Sequence, residues 1–449
     1  MLFTYVAFLL LFFEPYNVQG LIKSNQHDKV VVCYVASWAA YRPENGAFSF
    51  ENLHPQYCTH LIYAYAGLSA SDWTIKSRDP WEDIEKDGIG SYRKMTMLRQ
   101  QGLKVLLSIG GWSEGSENYS MMASSRNSRK TFIASTVKFL KTYEFDGLDL
   151  AWEFPGFRGG AAYDKQNFVS LVQELRDAFS QDHFLLTAAI SGKKNIIITG
   201  YDIPEISKYL DYIYVMAYNY HVAWDKVVLP HTPLRSEDHL NVEDTITYLL
   251  QQGAPAEKLV LGLAMFGRTF VLTTVPSTPI INPFGLSSLH IGFRGLYTFD
   301  DGFMGFNEIC EELVLYPQEW TTGWDNYSST AYAIKRDRVV VYDDRKAIMI
   351  KVEYAKRQKL AGVMVFSIDT DDFRGRCSSL QRYPLMKSIN EVLASNTVPH
   401  QEKKEKSVNT ILANNTVPRE KKKERNLSSM QLPSNIVFAL SITMISFSL

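Results

Sequence analysis

Between residues 28 and 393, short apolar runs alternate with stretches whose apolar residues recur at helical spacing. The runs are Val30 to Trp38, Thr59 to Gly67, Leu103 to Trp112, Leu148 to Phe154, Phe184 to Ile190, Asp211 to Tyr218, Lys258 to Phe266 and Leu360 to Ile368. They are short and rich in β-branched residues, which predicts strands. Ser91 to Gln101, Thr131 to Tyr143, Asn167 to Phe179, Val242 to Gln251 and Lys346 to Gln358 read as helices between them. In the third of these, Phe168, Leu171, Val172 and Leu175 share one face. Eight strands alternating with helices predict a parallel sheet closed into a (β/α)8 TIM barrel. The alternation breaks once, before the last strand. Residues 270–342 read as shorter strands and turns, and are expected to form an inserted α+β subdomain between strands seven and eight.

The fourth run carries acids. If Leu148 to Phe154 is extended, Asp149, Ala151 and Glu153 lie on one face and Leu148, Leu150 and Trp152 on the other. Carboxylates along the inward face of a buried strand are costly unless paired or hydrogen-bonded, so such a row points to chemistry. Asp146 has the opposite parity and reads as a turn residue beside Gly147. A barrel of this kind places its active site at the C-terminal ends of its strands. Those ends offer Tyr34, Trp38, Tyr63, Gly110, Gly111, Trp112, Glu153, Met216, Ala217, Tyr218, Asn219, Arg268 and Phe366, with Pro80, Trp81, Ser113, Phe154 and Trp224 on the flanks. One acid stands among aromatics and hydroxyls, with no metal-ligand cluster, so neither a metal nor another cofactor is expected. Trp38, Trp112 and Trp224 at or just beyond strand ends suggest stacking on sugar rings.

Composition adds bounds. The chain is 46% apolar and 21% charged, ordinary for a globular protein, and its net charge of -1 gives no reason to expect a nucleic-acid partner. Aromatics at 13% suit a carbohydrate cleft, and a large core explains them equally well. The apolar run Leu2 to Phe13, followed by small and polar residues to Gly20, reads as a secretory signal over residues 1–20. That places Cys33, Cys58, Cys310 and Cys377 in an oxidising compartment. Their spacing fits no zinc pattern and two disulfides are expected, with three pairings open. Asn118, Asn326, Asn414 and Asn426 head glycosylation sequons. Beyond the barrel, assigned to residues 21–393, Leu393 to Pro399 recurs as Leu412 to Pro418, each copy followed by a Lys/Glu run. Residues 394–435 therefore read as a solvated spacer. Ile436 to Leu449 is uncharged and short for a membrane span. Small residues upstream, Asn426, Ser428 and Ser429, complete the layout of a glycosylphosphatidylinositol signal. A marginal transmembrane anchor or a functionless apolar tail are the other readings.

Over residues 28 to 393 the chain resembles glycoside hydrolase family 18, the chitinases and chitinase-like lectins. Ser108-Ile-Gly-Gly-Trp112 is similar to that family's third-strand motif, and Phe145 to Pro155 to its fourth-strand motif D-G-x-D-x-D-W-E-Y-P. Met216 to Asn219 is similar to its M-x-Y-D. The resemblance implies two disulfides in the local pairing, Cys33–Cys58 and Cys310–Cys377. It also implies a substrate-assisted reaction. In that reaction a glutamic acid protonates the glycosidic oxygen, the sugar's acetamide attacks the anomeric carbon, and an aspartate two residues earlier orients the acetamide. Glu153 matches the acid, Asp149 the inner aspartate and Tyr218 the tyrosine bonded to the acetamide. Ala151 stands where the orienting aspartate belongs. Asp149 lies about 13 Å along the strand from Glu153, too far to replace it. Losing such a partner costs about 10²–10³ in rate, or roughly 3–4 kcal/mol. Asn219 replaces the acid of M-x-Y-D, Phe366 the tryptophan floor of the cleft, and Phe266 the tyrosine of some members. The resemblance and its departures thus imply a barrel that binds chitin or other N-acetylglucosamine glycans and hydrolyses them weakly or not at all; with the terminal segments, a secreted or surface-anchored chain is expected, and a monomer. An active endochitinase and a growth-factor-like scaffold without sugar binding are the alternatives.

Overall fold

The computed structural model describes residues 27–275, 277, 281–377 and 381–395. Eight parallel strands occupy the eight apolar runs: Val30–Ala36, His60–Leu68, Lys104–Gly110, Gly147–Ala151, Leu185–Ser191, Tyr212–Met216, Leu259–Ala264 and Gly362–Phe366. Each pairs with the next, and pairing of the first with the eighth closes the barrel. Runs apolar on both faces suit this topology, because each strand is covered by side chains of the barrel interior on one side and by helices on the other. Val32, Tyr34, Ile62, Leu106, Ala151, Tyr214, Val260 and Met364 fill the interior. Leu148, Leu150 and Trp152 pack outward with the helices, as the alternation along the fourth strand requires.

The helices fall where the spacing predicts, with modest shifts at their ends. Asp164–Phe179 buries Phe168, Leu171, Val172 and Leu175. Val242–Gln251 is capped by Asn241, whose side chain accepts from the Asp244 N–H at 2.8 Å.

The fourth strand is shorter than its apolar run. It ends at Ala151, so Glu153 stands on the turn just beyond the strand rather than within it. The insertion also begins earlier than its turn signals indicate. Its first strand, Phe266–Val271, leaves the seventh barrel strand with only Met265 between them. It joins Phe303–Gly305, Thr321–Asp325, Thr330–Lys335 and Arg338–Tyr342 in a five-stranded antiparallel sheet, accompanied by the helix Phe306–Leu315. Disulfides link Cys33 to Cys58 and Cys310 to Cys377, with Cα atoms 6.0 and 5.2 Å apart, which is the local pairing. Among the described residues no helix is long and apolar enough to cross a membrane. The signal segment, the spacer, the apolar tail and the sequons at Asn414 and Asn426 lie outside the described residues.

Candidate active site

The fourth strand sets the centre of the site. Asp149 is fully buried, and its neighbours across both strand pairings are hydroxyl residues, Ser108 on one side and Thr187 on the other. Both donate to its carboxylate, Ser108 Oγ at 2.6 Å and Thr187 Oγ1 at 2.8 Å, and Tyr34 Oη adds a third bond at 2.6 Å. Burial pushes the Asp149 pKa up, and the three hydroxyls pull against it. One step along the same face comes Ala151, buried among apolar side chains and offering only a methyl group.

Glu153 follows at the mouth, half-buried. Among the described residues its carboxyl has no hydrogen-bond partner. Burial lifts its pKa to about 7, and the Arg158 cation opposes that rise. Desolvation alone drives the rise, because the Ala151 methyl beside it brings no charge. The turn that presents Glu153 is fixed from below. Trp152 is buried and donates its indole N–H to Ser116 Oγ, which in turn donates to the Phe154 carbonyl at 2.9 Å. Asp164 then gathers the following loop, accepting from the backbone of Gly156 and Ala161 and from Ser120 Oγ. That loop carries Arg158, whose Nη1 donates to the Glu153 carbonyl at 2.9 Å while its guanidinium covers the Trp112 ring at 3.6 Å.

Around this centre the rim is aromatic. Trp38, Trp81, Trp112 and Trp224 are all exposed, between 44% and 60%, although one face of Trp38 rests on Tyr65 and one face of Trp112 lies under Arg158. Pro80 opens the short helix that carries Trp81, with Asp79 as its cap. Ser113 accepts from Arg78 at 2.9 Å. Tyr218 is buried, and its pKa is raised by that burial and then by the charges of Glu153 and Asp149. Phe366 tilts between Tyr34 and Tyr218, with ring centroids 5.7 and 6.2 Å away. Arg268 Nε donates to Asn219 Oδ1 at 2.7 Å, joining the loop after the sixth strand to the first strand of the insertion.

The structure redirects several expectations. Tyr63 faces the helices and donates to the buried Asp83 at 2.6 Å, so it is not a cleft residue. The aromatic of that strand in the site is Tyr65. A β-bulge between Ala64 and Ala66 turns it inward, where it stacks on Trp38 at 5.8 Å and 15° and feels the Glu153 charge first among its charged neighbours. Ala217 is buried with the outer core, and Phe154 is buried with its carbonyl held by Ser116, so neither stands on the rim. Phe303, from the insertion, stacks on Phe266 at 4.6 Å and widens the apolar wall beside Phe366. Tyr65, Thr187, Arg158 and Phe303 escaped the sequence reading. Thr187 had a usable signal, because it shares the inward parity of its strand. Of the two remaining sequons, Asn326 sits on an exposed turn, whereas Asn118 lies in a helix with its sequon serine, Ser120, buried against Asp164. Cys310 and Cys377 lie close to Asp372, but their sulfurs are joined to each other.

A closed barrel with a carboxyl of raised pKa at its mouth, ringed by exposed tryptophans, has the make-up of a glycan-processing site. The model described as glycosyl hydrolases family 18 matches residues 30–371, and the chain belongs to that family. It is 45% identical to "Probable chitinase 2" of Drosophila melanogaster, with 82% of this chain and 81% of the relative covered. Among solved structures it resembles the group IV chitinase of Ostrinia furnacalis at 38% identity and a TM-score of 0.78, covering 82% of this chain and all of that one. It also resembles human YKL-39, described as a pseudo-chitinase with retained chitooligosaccharide binding, at 31% identity and a TM-score of 0.72, covering 82% of this chain and all of that one.

Proposed function

We propose that this member of the chitinase family binds N-acetylglucosamine oligomers along the Trp38–Trp112–Trp224 rim and hydrolyses them slowly. The observation that carries the reading is the Ala151 methyl, which occupies the inward position between Asp149 and Glu153. Glu153 keeps the pKa of a general acid, near 7, so a proton is available for the glycosidic oxygen at neutral pH. What is missing is the carboxylate that would orient the acetamide and stabilise the positive charge developing on it. Asp149 is engaged by three hydroxyls and lies on the strand below. The retained sugar binding of the YKL-39 pseudo-chitinase supports the binding half of this reading.

A working endochitinase is the second reading. It is favoured by the intact Glu153, by its raised pKa and by the names of the relatives. Calorimetry with chitohexaose and turnover of the same oligomer by the unmodified protein separate the two. Binding with turnover at least about 10²-fold below that of an active family member fits the slow-hydrolysis reading. Turnover at the rate of active members overturns it. Absence of binding at millimolar sugar overturns both and leaves a scaffold role.

The two disulfides and the exposed Asn326 support secretion with glycosylation at that turn. The apolar C-terminal segment supports a lipid anchor. Release from cells by a phosphatidylinositol-specific phospholipase tests the anchor, and retention on the membrane refutes it. A single sedimenting species at the mass of one chain would support the monomer.

A further inference from the structure

At the corner of the cleft beside Tyr218, hydrogen-bond donors and one cation are gathered, with no carboxylate in hydrogen-bond or salt-bridge contact with that cation among the described residues. The family motif M-x-Y-D ends here in Asn219, whose Oδ1 accepts from Arg268 Nε at 2.7 Å. The amide oxygen is thereby used, and the Nδ2 hydrogens of Asn219 have no acceptor among the described residues. Arg268 gives Nη1 to the Gly302 carbonyl at 3.3 Å and leans on the rings of Phe266 and Phe303, about 5.4 and 5.5 Å from their centroids. Its Nη2 has no partner among the described residues, and it makes no salt bridge there. Asp300 is the carboxylate whose field reaches it. Burial holds the Arg268 pKa down at about 10, so the guanidinium stays charged at any physiological pH.

The same cleft lacks a second carboxylate at Ala151. Relative to the family motifs, two negative charges are therefore missing, one at 151 and one at 219, while Arg158 and Arg268 remain. A neutral oligosaccharide can accept hydrogen bonds from these donors but draws no charge–charge attraction from the imbalance. A planar guanidinium with a free edge, set against an amide that offers only donors, is suited to carboxylate or sulfate oxygens.

We propose that the cleft selects N-acetylglucosamine oligomers that carry an acidic substituent, a carboxylate or a sulfate, held by Arg268 and Asn219. The proposal rests on the glycan-binding reading of the cleft and narrows its substrate class.

The test is calorimetric titration of the full chain with chitotetraose, 6-O-sulfated chitotetraose and chitotetraose oxidised to the carboxylate at C6. At least one acidic oligomer is expected to bind about tenfold more tightly than the neutral one, the factor one added charge-assisted hydrogen bond supplies. Raising salt from about 50 to about 500 mM should shrink that preference severalfold. Asn219→Asp should lower the acidic-to-neutral affinity ratio about tenfold. Arg268→Gln, which keeps hydrogen-bond donors but no charge, should bring the ratio close to one and carries the test if the first variant folds poorly. The proposal is overturned if neither acidic oligomer outbinds the neutral one, or if the preference survives both substitutions. Binding of neutral chitotetraose without such a preference leaves the glycan-binding reading standing alone, whereas no binding by any oligomer removes both.

Discussion

Restoring a carboxylate at position 151 puts the slow-hydrolysis reading to its most direct test. Ala151 faces the barrel interior, two residues from Asp149 and two from Glu153. Same-face positions are about 6.5 to 7 Å apart along a strand, and Glu153, on the turn just past the strand's end, is taken at about that separation from position 151. At that distance and an effective dielectric of about 20, two negative charges repel by about 2 kcal/mol. This raises the apparent pKa of the acid by between one and two units. In Ala151→Asp the Glu153 titration, near 7 in the parent chain, should therefore move above about 8, and the carboxyls at 149, 151 and 153 should titrate as a coupled set. The rate should rise by about 10²–10³ if the new aspartate orients the acetamide. The assay is kcat/KM for a fluorogenic N-acetylglucosamine trimer from about pH 4 to pH 10, with Ala151→Asn as the uncharged control of similar size. Glu153 acts protonated, so activity should fall on the alkaline side, and that limb should lie at least about one unit higher in the aspartate variant. A gain below about tenfold in a folded variant that still binds sugar would refute the reasoning. An equal gain from asparagine would refute its electrostatic part.

Other outcomes follow from the same geometry. The raised Glu153 pKa means the folded chain holds a proton that the unfolded chain releases between about pH 4.5 and 7, so the group's contribution falls as pH rises through that window. Glu153→Gln should therefore match the parent near pH 4 and exceed it near pH 8 by up to about 3 kcal/mol, measured by thermal melts at both pH values. Tyr34→Phe removes one of the three hydroxyl bonds to Asp149 and should cost about 1–3 kcal/mol in urea unfolding, with no change in fold by circular dichroism. Arg158→Ala loses the cation over Trp112 and the bond to the Glu153 carbonyl. It should weaken chitohexaose binding severalfold and move the Glu153 titration upward, because Arg158 holds that pKa down. Replacing Cys33 and Cys58 with serine opens a 25-residue link and should cost about 3–4 kcal/mol in unfolding free energy.

Much of the barrel was legible because each strand is buried on both faces and so appears as an apolar run whatever its neighbours do. Strand ends were less legible. The fourth run stays apolar through Phe154, yet pairing stops at Ala151, because Trp152 and Phe154 are buried by packing on Ser116 and the outer helices rather than by the sheet. The acid row was visible from parity alone, and so was the gap in it. Its hydroxyl partners need the register as well: Ser108 and Thr187 matter because they flank Asp149 across the sheet. Tyr65 could not be placed from alternation, which gives it the outward parity of Tyr63, because a bulge after Ala64 turns it inward. Arg158 and Phe303 come from a loop and from a strand of the insertion, where no period marks which side chain returns to the cleft.

The bulge at Tyr65 bears on how this cleft can change over generations. Gly111 has a φ of +82°, and a Cβ at that position would meet the Tyr65 ring at 2.7 Å. Any side chain at 111 must therefore evict the tyrosine or distort the loop that carries Trp112, whereas a smaller residue at 65 leaves glycine 111 still required by its backbone conformation. The two positions form a one-way ratchet: drift can begin at 65 but not at 111. Descendants of this chain that abandon sugar altogether should lose the tyrosine while glycine persists at 111, so change at 65 alone would mark a retired cleft.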